Sequence, residues 1–325
     1  MTPRPARGAA ALRRLPLAAV GPPLALLAAG IFFAARTERF LTGENLSLVL
    51  QQVMVVGVLA VGQTLVILTA GVDLSCGMVM ALAGVVMTRL AAEHGVSVPL
   101  AIAAGVGVAA LFGLVNGLLV SRLALPPFIV TLGTLNIAFA LTQLYSESQT
   151  VTEVPASMTA LGNTFQLGGT SLVHGVVVML LLYLVAWFAL RATAGGRHVY
   201  AVGDAPEAAR LAGIHTRSVL VAVYVTAGVL YGVAALLLVA RTGVGDPNAG
   251  QTENLDTITA VVLGGTSLFG GRGAVLGSLV GALIVGVFRN GLTLMGVSSV
   301  YQILVTGVLV ILAVGMDQLS RRGAR

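Results

Sequence analysis

Leu48-Val-Leu-Gln-Gln-Val-Met-Val-Val-Gly-Val-Leu-Ala-Val-Gly-Gln-Thr-Leu-Val-Ile-Leu-Thr-Ala70 runs directly into Gly71-Val-Asp-Leu-Ser-Cys-Gly77. The first stretch carries no charge and exceeds the about 20 residues that a helix needs to cross a hydrocarbon core of about 30 Å. The second interrupts it with glycine, a carboxylate and serine, the setting of a broken or re-entrant helix. Working outward, apolar runs fall near residues 16–35, 47–70, 75–93, 98–120, 128–146, 172–190, 218–240, 254–269, 274–292 and 299–316. The expected fold is all-α, a polytopic transmembrane bundle of about ten spans with broken or re-entrant segments at 70–75 and 264–273.

Composition agrees. Of 325 residues, 57% are hydrophobic and 9% charged, against about 25% charged in soluble domains. Ten crossings put both termini on one side. If that side is cytoplasmic, thirteen of the eighteen arginines face inward, and Arg36, Arg39, Arg89, Arg241 and Arg289 face outward. This is the bias of positive-inside orientation. The expected organisation is a cytoplasmic tail at 1–15, a membrane domain at 16–316 containing a cytoplasmic loop at 191–217, and a second cytoplasmic tail at 317–325. Arginines ahead of the apolar run 15–35 resemble a secretory signal, but the run is long for one and many spans follow, so it reads as a retained first span.

Two loops stand out. The outward segment 146–170 has room for a short surface helix. In the inward loop, a helix is expected from Pro206 to Ala212, with proline at its start and Gly213 after its end. An echo also links the halves: Gly71 to Gly77 resembles Gly264 to Gly270, and Asn116-Gly-Leu118 resembles Asn290-Gly-Leu292. The spacing differs between halves and the span assignment puts the two asparagines on opposite sides. Either the echo is chance or one crossing is misplaced.

Several chemistries are excluded. A lone Cys76 forbids an internal disulfide, and no Cys/His cluster has metal-ligand spacing. Arginines scattered among apolar spans are no nucleic-acid footprint. His94, His174, His198 and His215 sit in loops or near span ends, and no nucleophile elbow or carboxylate pair occurs. The chain has no lysine, so it lacks the group with which a P-loop reaches the β- and γ-phosphates. Any ATP that drives it is hydrolysed by another subunit.

Among candidate residues, Gly113 with Gly117, and Gly273 with Gly277 and Gly281, lie four apart, the spacing of close helix packing within one chain or between two. Asp73, Asp256 and Arg289 are the ionisable groups at membrane depth. Asp73 either caps the helix after it or lines a solute path. Asp256 suits the positive end of a helix, and Arg289 sits near a span end within reach of the interface. Gln63, Thr64, Ser75, Asn116, Thr131, Thr134, Asn136, Asn290 and Gln302 either line a path for a hydroxylated solute or tie helices together. Asp73, Ser75, Asn116, Thr131, Asn136 and Asn290 are the chosen path candidates.

Gly62-Gln-Thr-Leu-Val-Ile-Leu-Thr-Ala-Gly-Val-Asp-Leu-Ser75, Asn116-Gly-Leu-Leu-Val120 with Leu125-Pro-Pro-Phe-Ile-Val-Thr-Leu-Gly-Thr134, and Val262-Leu-Gly-Gly-Thr-Ser-Leu-Phe-Gly-Gly-Arg-Gly273 closely resemble the ribose-type permeases of ATP-binding-cassette sugar importers. The resemblance runs from about residue 48 to 319. The stretch from Tyr200 to Ile214, with Pro206, Glu207, Ala208, Ala209 and Gly213, resembles the family's segment for docking the ATPase.

The resemblance implies a transport subunit, not an enzyme, in the bacterial plasma membrane. It implies a second copy of the chain, a cytoplasmic ATPase subunit holding ATP and magnesium, and a periplasmic or lipid-anchored sugar-binding protein. No cofactor is expected on this chain and no nucleic acid as partner; membrane lipid surrounds it. The solute is a monosaccharide, or a nucleoside or autoinducer as in other permeases of the superfamily. An ion-coupled carrier would need titratable groups near the bilayer centre, for which Asp73 is the serious candidate.

Overall fold

The computed structural model describes residues 17–322. Helices α1 (Leu17–Arg36), α2 (Gly43–Leu68), α3 (Cys76–Ala92), α4 (Val98–Arg122) and α5 (Pro127–Ser146) lead to a hairpin of β1 (Thr164–Leu167) and β2 (Thr170–Val173). There follow α6 (His174–Ala192), α7 (Ala194–Asp204), α8 (Pro206–Leu211), α9 (Thr216–Thr242), α10 (Glu253–Leu263), α11 (Val275–Leu294) and α12 (Ser299–Arg322). Six of these, α2, α4, α5, α6, α9 and α11, are long and apolar enough to cross a membrane. The chain is a helical, multi-pass membrane protein.

Local signals set the boundaries. The Thr42 hydroxyl accepts the Asn45 amide at 3.3 Å to cap α2, and Thr193 caps α7 through the Gly196 amide at 3.1 Å. Prolines stand in the first turns of α4, α5 and α8, where a missing N–H costs no helical bond. Gly243 closes α9 in the left-handed region at φ 72°, which glycine enters without a Cβ penalty.

The bundle is built around α2, which packs against α6, α9, α10 and α11. Lipid offers helices no hydrophobic reason to associate, so polar ties and close backbone approach hold them. The Asn45 and Asn290 amides bond reciprocally at 3.0 and 2.9 Å, joining the start of α2 to the end of α11. Thr64 and Ser278 bond at 2.7 Å near the other end, so the two helices run antiparallel. The Tyr183 hydroxyl donates to the Gly57 carbonyl at 2.9 Å, fastening α6 to the middle of α2.

One pattern occurs twice. A long helix, a non-helical break and a short helix lead to another long helix: α2, 69–75, α3, α4 and then α9, 243–252, α10, α11. α3 packs on α4 as α10 packs on α11, and α4 lies along α9 as α11 lies along α2. Segment 245–250 descends beside α3, with Gly245 against Thr88 and Gly250 against Gly77. A Cβ on Gly77 or Gly250 would overlap the other's carbonyl oxygen. The beginnings of both short helices therefore meet inside the bundle.

Three expectations need correction. The apolar run 254–269 yields only Glu253–Leu263, 11 residues, or about 16 Å at 1.5 Å per residue. The glycines after it turn the chain before α11. Segment 146–170 forms a 3-10 turn at Ala160–Gly162 and most of a β-hairpin in place of an α-helix. Gly273 lies outside α11 at φ 147°, against the Thr266 side chain, so only Gly277 and Gly281 share a helical face.

The echo also divides. Asn116 and Asn290 each stand near the last turns of their helices, α4 and α11, in matching positions of the repeated pattern. Gly71 to Gly77 precedes a short helix, whereas Gly264 to Gly270 follows one. These two glycine motifs do not correspond.

Candidate functional site

The break at 69–75 is held by a closed set of hydrogen bonds. Asp73, 1% exposed, accepts on Oδ1 from the Ser75 amide at 2.8 Å and the Ser75 hydroxyl at 2.6 Å. Its Oδ2 accepts from the Tyr231 hydroxyl of α9 at 3.3 Å. The Gln63 side-chain amide pairs with the Asp73 backbone, its nitrogen donating to the carbonyl at 3.1 Å and its oxygen accepting from N–H at 3.2 Å. Ser75 Oγ accepts from Asn116 Nδ2 at 3.2 Å, and Asn116 Oδ1 from the Thr134 hydroxyl at 2.8 Å.

The neighbouring carbonyls are also covered. Thr131 of α5 donates to Val72 O at 3.0 Å, and Asn254 at the start of α10 donates to Leu74 O at 3.3 Å. Extended backbone at this depth requires protein partners in place of water. Side chains from α2, α4, α5, α9 and α10 supply them.

Of the path candidates, Asp73, Ser75, Asn116 and Thr131 thus converge on one break, while Asn136 and Asn290 stand elsewhere. Asn136 is exposed on α5 and bonds within its own helix to Leu132 O at 3.0 Å. Asn290 is spent on Asn45 at the far end of α2. Tyr231 was not singled out from sequence, although a tyrosine hydroxyl within an apolar span signals a buried partner. Asp256 and Arg289 pair at 2.9 Å between α10 and α11, which sequence separation concealed.

Replacing Asp73 by alanine would leave the Ser75 amide, the Ser75 hydroxyl and the Tyr231 hydroxyl without this acceptor. Unpaired buried donors cost about 1–3 kcal/mol each. Asp73→Ala is therefore expected to lower the thermal unfolding midpoint of the purified protein markedly, and Asp73→Asn, which keeps an acceptor oxygen, substantially less. Equal midpoints for the two variants would contradict this role.

The second site is α8. Gly213 ends it at φ 86°, with Gly213 N–H donating to Arg210 O and Ile214 N–H to Ala209 O, both at 3.0 Å. Ala209 is buried, whereas Pro206, Glu207, Ala208 and Gly213 are exposed and Leu211 is 80% exposed. Glu207 and Arg210 pair at 2.9 Å in solvent, a contact worth less than about 1 kcal/mol.

α7 seats α8 on the bundle. A Cβ on Gly203 would overlap the Leu68 carbonyl oxygen at the end of α2 and come within 2.8 Å of Gly271 N. That same Leu68 oxygen accepts from Gly271 N–H at 2.9 Å. The Tyr200 hydroxyl donates to Gly273 O at 2.9 Å; partial burial raises its pKa above the ordinary phenol value, keeping the proton in place. Backbone thus touches backbone from α8's root to Leu68, just before the break that Asp73 anchors.

The packing glycines are all internal to the chain. Gly113 and Gly117 face α9 at Tyr224 and Val221, while Gly277 and Gly281 face α10 at Gly264 and Ala260.

Comparison with known proteins matches residues 45–314 to the family described as branched-chain amino acid transport system, permease component. The fructose import permease protein of Rhizobium meliloti is 45% identical over 93% of this chain and 84% of its own length. The ribose import permease protein of Bacillus subtilis is 38% identical over 92% of each chain. The D-allose transport system permease protein of Escherichia coli is 34% identical over 91% of this chain and 90% of its own. No solved structure matches. With its breaks, short helices and loop all inside the matched region, the chain belongs to this family of transport-system permease components.

Proposed function

We infer that the chain is the membrane-spanning permease subunit of an ATP-driven importer that carries a monosaccharide into the cytoplasm. It resides as a multi-pass protein in the bacterial inner membrane. The relatives named for fructose, ribose and allose support the solute class. The observation that carries the transport mechanism is the exposed α8, opened by Pro206, closed by Gly213 and rooted through Gly203 on α2.

In this reading α8, with Pro206, Glu207, Ala208, Ala209 and Gly213, docks on a cytoplasmic ATPase subunit that binds ATP and magnesium. The lysine-free chain contributes no phosphate-gripping loop of its own. A second permease copy and a periplasmic or lipid-anchored sugar-binding protein complete the assembly.

The antiparallel packing supports a reading of ten crossings with both termini cytoplasmic. The ends of α2 and α4 and the starts of α5 and α9 border one space with Pro206 of α8. The start of α2 and the end of α11 lie together at the far side, and α1 reaches Gly291 there through Phe33. Closure of the ATPases moves α8 and shifts the bundle between two arrangements. Asp73, Ser75, Asn116 and Thr131 keep the inner break closed in this one. Asn136 belongs on the path side of α5, because hydrocarbon would leave its amide partly unpaired.

The test is uptake into proteoliposomes holding the permease with its ATPase and binding protein. ATP-dependent accumulation of labelled D-ribose or D-fructose is expected. Leu211→Asp should reduce it at least about tenfold, the scale of losing an interface anchor, with membrane insertion unchanged. Uptake by the permease alone under an ion gradient would overturn the reading, and wild-type uptake in Leu211→Asp would remove α8 from the docking surface.

A further inference from the structure

At the end of the bundle away from α8, two cavities share the walls Arg241 and Glu253. One, of about 220 Å³, lies between α2, α9, α10 and α11 and is lined also by Gln52 and Arg289. The other, of about 410 Å³, follows the descending segment 244–252 beside α3. α9 begins beside α8 and spans 27 residues, about 40 Å at 1.5 Å per residue, so Arg241 in its last turn stands on the opposite side of the membrane.

The polar groups here are incompletely used. Gln52 Oε1 is buried without a hydrogen-bond partner, a condition that calls for an occupant. Arg241 makes no ion pair or side-chain hydrogen bond among the described residues. Among the described residues, the Glu253 carboxylate accepts only the Thr252 amide, at 3.2 Å. Arg289 pairs through Nη1 with Asp256 at 2.9 Å, and its Nη2 reaches Thr252 Oγ1 at a long 3.5 Å.

We propose that this vestibule is a binding site, within each single permease chain, for a neutral hydroxyl-rich solute: the monosaccharide itself, on its way from the binding protein to the inner break. The inference rests on the import function proposed above. The walls carry two guanidinium groups, Arg241 and Arg289, against two carboxylates, Asp246 and Glu253, and so no net charge, and those carboxylates would repel a phosphate or carboxylate ligand. Vicinal hydroxyls can accept from Arg241 and donate to Glu253 and Gln52 Oε1 at once. The walls Val53, Val56, Ala282 and Val285 offer apolar surface to the C–H faces of a ring. The smaller cavity alone exceeds the volume of one hexose.

Cys76 is the sole cysteine and is buried, so Gln52→Cys gives a single reporter thiol. In the reconstituted permease–ATPase complex without binding protein, a membrane-impermeant methanethiosulfonate reagent should modify it. D-Fructose or D-ribose at about ten times its half-protecting concentration should slow that reaction about tenfold. Betaine at equal osmolality should not.

As a second measurement, Gln52→Leu, close in size but without the amide, should lower maximal uptake about tenfold, the loss of one well-placed polar contact. Its thermal midpoint and binding-protein affinity should match wild type. Absence of sugar protection, equal protection by betaine, or wild-type uptake by Gln52→Leu would each overturn the site while leaving the import function intact. Failure of the wild-type complex to accumulate any monosaccharide would overturn both.

Discussion

Gly113→Leu is expected to abolish the folded protein in the membrane, while Gly107→Leu, six residues earlier on the same helix, leaves it intact. α4 and α9 meet along a seam of glycines contributed by both. Gly113 lies on the Tyr224 carbonyl, a Cβ on Gly117 would come within 2.9 Å of Val221 Cα, and Gly228 and Gly232 lie on Ala109 and Val106. Those short distances are to Cβ atoms that glycine lacks. Where lipid gives no hydrophobic drive, such backbone proximity supplies the packing and Cα–H···O contacts that hold two helices together.

A leucine at Gly113 must push the axes apart along the whole seam. The loss extends beyond the seam, since α9 also carries Tyr231 to Asp73. A cost above about 4 kcal/mol is expected, comparable with the total stability of many proteins. At Gly107 a Cβ meets nothing within 4 Å. Size-exclusion profiles and thermal unfolding of the two detergent-solubilised variants check this. A Gly113→Leu protein that elutes and melts like wild type would refute the seam.

The sequence made the helical elements legible because membrane length is so coarse a signal: the apolar run 47–70 contains nearly all of α2, and 98–120 nearly all of α4. It failed where length alone misleads. The run 254–269 approaches the length of a span, but its second half is drawn into a turn by Gly264 and Gly265. The hairpin at 164–173 is two strands of four residues, too short for an alternating pattern to emerge. The break at 70–75 was readable from glycine and aspartate in an apolar context. Asn116 and Thr131 were readable as polar groups within spans, but Tyr231 and Asn254 as partners of the break were not, because contacts between residues 158 and 180 positions apart leave no local trace. The same reason hid the pairing of Arg289 with Asp256 and put Asn136 and Asn290 into a cluster to which neither belongs.

Gly203→Ala is expected to abolish coupled uptake while the protein still inserts and binds its ATPase. Gly203 borders the space beside Pro206, but its importance is the contact of α7 with α2. The residue lies directly on the Leu68 carbonyl oxygen, which is also the acceptor for Gly271 N–H. A methyl group cannot enter without moving α7 outward, since neither neighbour is the flexible end of a side chain. Ala205 alone separates α7 from α8, so the displacement shifts the docking helix relative to α2 and lengthens the backbone route through Leu68 from it to Ala70 and Asp73. Motion imposed on α8 would be absorbed at the loosened contact and fail to reach the break.

The variant should retain ATP hydrolysis but lose its stimulation by sugar-loaded binding protein, with uptake down at least about a hundredfold, the scale on which small displacements far from a reacting site act. Gly195→Ala, also in α7, meets only Thr193 Oγ1 at an ordinary 3.6 Å and should behave as wild type. If Gly203→Ala transports normally, the push on α8 reaches the membrane through α9, which follows it in the chain, and the Leu68 contact is packing without mechanical consequence.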